Sequence, residues 1–83
     1  MSALNTVSII QRRILQLCEE KGWSVNKLAY ESALPPSSIK NILYGKSKNP
    51  RIITLKMICD GLGITLGQFF NTSEFDNLEQ EIK

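Results

Sequence analysis

Val25-Asn26-Lys27-Leu28-Ala29-Tyr30-Glu31-Ser32-Ala33-Leu34-Pro35-Pro36-Ser37-Ser38-Ile39-Lys40-Asn41-Ile42-Leu43-Tyr44 is the stretch on which the fold turns. Apolar residues recur at helical spacing on either side of a short break, so it reads as two helices of about eight residues joined by a three- to four-residue turn, the dimensions of a helix-turn-helix. Leu28 and Ala29 face inward on the first helix, Leu34 plugs the turn, and Ile39 and Ile42 face inward on the second. A small residue at 29 suits two helices that cross steeply, because little space remains between their axes at the closest approach.

The same grammar extends outward in both directions. Four apolar pairs stand five positions apart, the spacing of a hydrophobic staple: Trp23 with Leu28, Leu34 with Ile39, Ile53 with Ile58, and Ile64 with Phe69. Ser24, Thr54 and Thr65 fall at the intervening cap positions, where a hydroxyl accepts a hydrogen bond from a free backbone N–H, and Thr65 with Gln68 makes a capping box. Pro35-Pro36 opens the remaining helix, at positions where a missing N–H costs nothing. Val7, Ile10, Ile14 and Leu17 add a helix before these, and Gly22, Ser32-Ala33, Gly45 and Gly63 supply stops. The spacing therefore predicts helices near 6–20, 25–32, 36–44, 55–62 and 66–71, with no strand-like alternation. Helices this short depend on mutual packing, which makes the chain an all-α, compact five-helix bundle with Leu28, Ala29, Leu34, Ile39, Ile42, Leu55, Ile58, Leu62 and Leu66 as its core. Residues 1–71 are expected to form this domain. The acidic tail, 72–83, keeps Phe75, Leu78 and Ile82 at helical spacing and either frays or forms a short sixth helix.

Eighty-three residues, 42% of them hydrophobic and 22% charged, describe one small folding unit. The chain has no histidine, which removes the imidazole base, the Ser-His and Cys-His nucleophile pairs and every His-containing metal site. Cys18 and Cys59 have neither disulfide-framework nor CxxC spacing and read as small core residues. Gly61, Gly63 and Gly67 lack the spacing of a phosphate-cradling loop. No catalytic residues, metal ligands or cofactor are expected, and no small-molecule ligand is evident. Net charge is only +2, but it is divided unevenly. Residues 1–56 carry nine Lys/Arg against Glu19, Glu20 and Glu31, a balance of +6, and residues 57–83 carry Lys83 against five acids, a balance of −4. Lys40, Lys46, Lys48, Arg51 and Lys56 lie in a stretch without an acid, which suits a polyanion if folding brings them to one face.

Trp23-Ser24-Val25-Asn26-Lys27-Leu28-Ala29, Ser37-Ser38-Ile39-Lys40-Asn41-Ile42, Tyr44-Gly45-Lys46 through Asn49-Pro50, Thr54-Leu55-Lys56-Met57-Ile58 and Leu62-Gly63-Ile64-Thr65-Leu66 occur in that order. Together they resemble the phage Cro and lambda-repressor type helix-turn-helix (XRE-like) DNA-binding family over residues 8 to 70. Each piece is weak alone, and the ordered set is specific. The resemblance implies a lambda-repressor-like bundle whose recognition helix, about 36–44, lies in the major groove of double-stranded DNA. On that helix Pro36, Ser37, Ser38, Lys40 and Asn41 would meet base edges, Asn41 being suited to adenine and Pro36 to a thymine methyl. Ser24, Asn26, Tyr44, Lys46, Lys48, Asn49 and Arg51 would meet phosphates. Three positions depart from the family pattern: Val25 stands where many members have Gln, Ala33 where the turn usually has Gly, and Pro35-Pro36 where a Ser cap and a polar base reader are common.

Family members usually bind paired half-sites as two-fold dimers, so the resemblance implies a homodimer, with Phe69, Phe70, Phe75, Leu78 and Ile82 as candidates for the partner surface. Phe69 and Phe70 are adjacent on a short helix, and the expectation is that only one of them faces the core. The function implied is that of a small sequence-specific transcriptional regulator, with repression the expected action. The alternative is a protein-interaction module, such as an antitoxin or adaptor, suggested by the acidic tail with its apolar stripe. No apolar run approaches the ~18 residues of a membrane span, and Met1–Ser8 lacks a secretion signal, so a cytoplasmic protein without a membrane partner is expected.

Overall fold

The computed structural model describes residues 5–82. Among them lie six helices and no strand: α1 (Thr6–Lys21), α2 (Val25–Glu31), α3 (Pro36–Leu43), α4 (Ile52–Leu62), α5 (Leu66–Phe70) and α6 (Ser73–Asp76). One core joins them, formed by Ile10, Ile14, Leu17 and Cys18 of α1, Leu28 and Ala29 of α2, Ile39 and Ile42 of α3, Leu55, Ile58, Cys59 and Leu62 of α4, and Phe69 of α5. Leu34 and Leu66, expected inside, are half-buried and pack against it.

Helix starts follow the side-chain caps in most places. Asn5 Oδ1 accepts from Ser8 N–H at 2.9 Å, Ser24 Oγ from Lys27 N–H at 3.1 Å, and Thr65 Oγ1 from Gln68 N–H at 3.0 Å. The Gln68 carboxamide oxygen accepts in return from Thr65 N–H at 2.8 Å, closing the capping box. Helix α3 begins at Pro36 with no side-chain cap. Helix α4 corrects the sequence reading. It starts at Ile52 instead of behind a Thr54 cap, its N-cap Arg51 offers no side-chain hydrogen bond, and Leu55 N–H already reaches the Arg51 carbonyl at 3.1 Å. The expected Ile53–Ile58 staple fails with it, because Ile53 is 67% exposed and Ile58 is fully buried.

Three helices end in one hydrogen-bond pattern. At the ends of α1, α2 and α4, the N–H groups of Trp23, Leu34 and Ile64 reach back to the carbonyls of Cys18, Ala29 and Cys59 at 2.9, 3.0 and 3.0 Å. Such an end needs a left-handed residue just before the returning N–H. Gly22 and Gly63 fill that place at φ 69° and 75°, and Ala33 fills it in the helix-turn-helix at φ 56°. The turn therefore keeps the geometry of a glycine turn although its residue carries a Cβ. Trp23, Leu34 and Ile64 then drop onto the core from these ends.

The far end of the bundle is aromatic. Phe69 and Phe70 meet edge to face at 4.9 Å, and Phe70 and Phe75 at 4.8 Å. Arg13 on α1 holds this region by donating from Nε to the Phe69 carbonyl at 2.7 Å and from Nη2 to the Gln68 carbonyl at 2.9 Å. Those carbonyls end a five-residue helix and have no partners along it. Helix α6 is a four-residue turn joined to α1 by an Arg12–Glu74 ion pair at 3.0 Å, and the described residues beyond it, 77–82, are not helical.

Candidate nucleic-acid interface

Helix α3 turns Ile39 and Ile42 into the core and leaves the opposite side to solvent. Pro36, Ser37, Lys40 and Asn41 are exposed on it, and Ser38 is half-buried. Helix α2 turns Leu28 and Ala29 inward and packs on both α3 and α4. The seven residues expected at phosphates, Ser24, Asn26, Tyr44, Lys46, Lys48, Asn49 and Arg51, are all exposed. Ser24 already uses its hydroxyl as the α2 cap.

The loop after α3 is tied to it, since Ser47 N–H donates to the Asn41 carbonyl at 2.8 Å. Between helix, loop and the start of α4 lies an open cleft of about 300 Å³, lined by Ser38, Asn41, Ile42, Ser47, Asn49, Pro50, Arg51 and Thr54. It brings together expected base-edge residues, Ser38 and Asn41, with expected phosphate residues, Asn49 and Arg51. Ser47 and Thr54 were not expected there. Thr54 was read as a cap, and only the earlier start of α4 places it at the cleft. The N-cap Arg51 gives the first N–H groups of α4 no side-chain acceptor, and of the first three residues of that helix Thr54 lines the cleft.

Charge pairing separates this region from the rest of the surface. Arg12 pairs with Glu74, Lys27 with Glu31 at 2.8 Å, and Lys56 with Asp60. Arg13 is hydrogen-bonded to carbonyls, and Lys21 lies over the Trp23 ring at 5.1 Å. The Glu31 carboxylate raises the pKa of Lys27, first through its hydrogen bond and then through its charge. Among the described residues, Lys40, Lys46, Lys48 and Arg51 take part in no ion pair. All four belong to α3 or the loop that follows it. The acid-free basic stretch read from the sequence thus loses Lys56 to Asp60 and keeps the other four.

The expected partner surface needs one correction. Phe69 is fully buried in its own core, as is required of the residue that closes the bundle between α1 and α4. Phe70 and Phe75 are half-buried against the same core, so the two adjacent phenylalanines both contribute to it. Leu78 is half-buried, and Ile82 is 79% exposed. Four exposed apolar or aromatic residues were not marked as exposed by the sequence reading: Leu15 on α1, Tyr30 on α2, and Ile52 and Ile53 at the start of α4.

A small all-helical bundle presenting a helix-turn-helix, with four cations without ion pairs on and just after its second helix, defines a class of nucleic-acid-binding domain. The chain belongs to the Cro/C1-type HTH DNA-binding domain family, whose model matches residues 13–74. Its fold is similar to that in the crystal structure of the prophage Lp1 protein 11, with a TM-score of 0.78 at 24% sequence identity, covering 90% of this chain and 100% of that one. No curated protein sequence matches the chain. Among the described residues no helix is long and apolar enough to cross a membrane, and no cluster of side chains is suited to a metal ion.

Proposed function

We propose that the chain is a sequence-specific reader of double-stranded DNA that acts in the cytoplasm as a homodimeric transcriptional repressor. The observation that carries this reading is the grouping of four cations without ion pairs, Lys40, Lys46, Lys48 and Arg51, on α3 and its following loop, a stretch that holds no acid. A surface cation near an acid forms a pair worth little and presents little net charge. Four grouped without acids attract a polyanion, and the cleft that Arg51 lines adds the polar side chains of Ser38, Asn41, Ser47, Asn49 and Thr54, of the kinds that bond a phosphate backbone.

In this reading α3 enters the major groove with Pro36, Ser37, Ser38, Lys40 and Asn41 toward the bases. Asn41 offers a paired donor and acceptor to an adenine edge, and Pro36 an apolar contact to a thymine methyl. Ser24 and Asn26 approach phosphates from α2, and Tyr44, Lys46, Lys48, Asn49 and Arg51 from the loop. These contacts set register, and the bases set preference. Pairing of two copies would use Phe70, Phe75, Leu78 and Ile82, of which Ile82 is the most exposed.

Selection of bound sites from a random duplex library, followed by fluorescence anisotropy on the winner and on scrambled DNA across a salt series, tests the reading. A palindromic winner is expected, with affinity falling on a log-log salt slope of about −0.9 per phosphate contact. The same assay separates the two kinds of contact. Asn41→Ala should lose roughly 1 to 3 kcal/mol of discrimination at one or two base pairs, and Lys48→Ala should weaken all sequences alike and flatten the slope by about one. Equal loss on selected and scrambled DNA for Asn41→Ala removes that residue from base reading. A second reading, a protein-interaction module, is favoured by the exposed Ile52, Ile53 and Ile82. A library with no enriched sequence and weak binding throughout would select it.

A further inference from the structure

Helix α3 is anchored by different means at its two ends. The turn fixes the N-terminal end, where Leu34 N–H returns to the Ala29 carbonyl and Ser38 N–H bonds the Pro35 carbonyl at 3.0 Å. At the other end stand Lys40 and Asn41, and here a side chain from α1 intervenes. Gln11 Nε2 donates to the Ile42 carbonyl at 2.8 Å, in a partly buried setting and across 31 residues of sequence. That carbonyl lies in the last turn of α3, where no amide follows along the helix to bond it at i+4. Backbone donors serve it weakly: the Gly45 N–H stands at 3.4 Å, and the Tyr44 N–H, which also faces it, makes its short bond of 2.8 Å to the Lys40 carbonyl. Arg13, also on α1, bonds the carbonyls of α5 and Gln16 of its own helix instead.

We propose that Gln11 is a positioning residue: its carboxamide pins the C-terminal end of α3 to α1 and sets the pose in which Lys40 and Asn41 meet the bases. This rests on the reading of α3 as the base-contacting helix. With the turn as pivot, displacement grows along the helix. Asn41 lies five residues beyond Pro36, about 7.5 Å at 1.5 Å per residue, so a swing of about 10° moves it by roughly 1 Å. Recognition groups have to be held within about 0.5 Å of their working geometry, so such a swing disables Asn41 and barely moves Pro36 and Ser37. Gln11 therefore governs which part of the half-site is read; the loop moves with the end of α3, but the long, rotatable side chains of Lys46, Lys48 and Arg51 reach the same phosphates across a shift of about 1 Å, so phosphate affinity is kept.

Gln11→Met keeps an unbranched stem of similar size and removes the donor. In the free protein, amide hydrogen exchange in the last turn of α3 and at Ser47 should quicken by about tenfold, with the α2 amides unchanged. On DNA, discrimination at the base pairs whose preference Asn41→Ala abolishes should fall by about tenfold, while preference at the remaining pairs, scrambled-DNA affinity and the salt slope stay at their wild-type values. Unchanged exchange and an unchanged base preference overturn the proposal. So does a uniform loss over all base pairs, which would mean general destabilisation. If the wild-type chain itself prefers no sequence, the reading of α3 falls, and the exchange measurement still decides whether Gln11 pins the helix.

Discussion

Ala33 holds φ 56° at the centre of the helix-turn-helix, where the ends of α1 and α4 use glycine. An L-residue in the left-handed region costs about 1 to 2 kcal/mol, and glycine there would give back about 0.4 to 1 kcal/mol through its freer unfolded chain. Ala33→Gly should therefore stabilise the domain by about 0.5 to 1 kcal/mol, seen as a rise of a few degrees in Tm. A lower Tm would show that the turn bears no strain. The opposite case is Gly61. A Cβ built there would lie 2.5 Å from Ser32 Oγ and 2.9 Å from the Glu31 carbonyl carbon and oxygen. The hydroxyl can rotate, but the backbone at the end of α2 cannot. Gly61→Ala gains roughly 1 kcal/mol of helix propensity and still loses to overpacking, so a net destabilisation of about 1 to 2 kcal/mol is expected in urea denaturation. Nothing in the sequence marked Gly61, since a glycine required by a neighbouring backbone has no local signature. Ser32 beside it is 4% exposed with its hydroxyl unpaired, a cost that close packing of α2 on α4 imposes.

Helix boundaries were legible where side chains make them. Ser24 and Thr65 cap as the sequence reading expected, Asn5 caps α1 without having been marked, and Trp23, Leu34 and Ile64 close the ends of the helices before them. Where the backbone alone begins a helix the signal is lost: α4 opens at Ile52 behind an uncapped Arg51, three residues ahead of Leu55. The base-facing side of α3 was readable from Ile39 and Ile42, because a helix with one buried face fixes the opposite one. The cleft was not, because Ser47 reaches it through the path of the loop and Thr54 through the early start of α4. Helix α5 shows the same limit. At five residues it is far below the length that persists alone, and it stands because Arg13 caps its last carbonyls from α1. Charged hydrogen bonds of this kind contribute about 1.5 to 3 kcal/mol when buried, and this one is partly exposed. Arg13→Ala should lower stability by about 1 to 2 kcal/mol and shift the urea midpoint without changing its slope. Arg13→Lys should recover part of that, since an ammonium cannot hold both carbonyls in one plane. Full recovery by lysine would mean that charge, not the two-carbonyl geometry, supports α5.

For the molecule as a whole, the absence of histidine and the burial of both cysteines set the response to pH. The acidic side is shallow, because the Arg12–Glu74, Lys27–Glu31 and Lys56–Asp60 pairs are exposed and each contributes little. The alkaline side is different. Burial raises the pKa of Cys18, and it raises that of Cys59 against a smaller opposing effect from Lys56. A group whose folded pKa lies above its unfolded value binds its proton more tightly when folded. Its contribution is fully present below the unfolded thiol value, near 8.5, and is lost as pH climbs through the folded one. Stability should hold level from about pH 6 to 8 and decline above about 9, with Lys27, also raised, adding only a minor loss at higher pH because it is solvent-exposed. Urea midpoints between pH 6 and 10 measure this, and replacing both cysteines by alanine should flatten the decline even though the smaller side chains lower the plateau. The same burial predicts slow labelling of both thiols by a disulfide reagent at pH 8 and fast labelling in denaturant. Rapid labelling of the folded chain, or an alkaline decline untouched by the double replacement, would place the thiols in contact with water and move the origin of the pH response to the surface lysines and tyrosines.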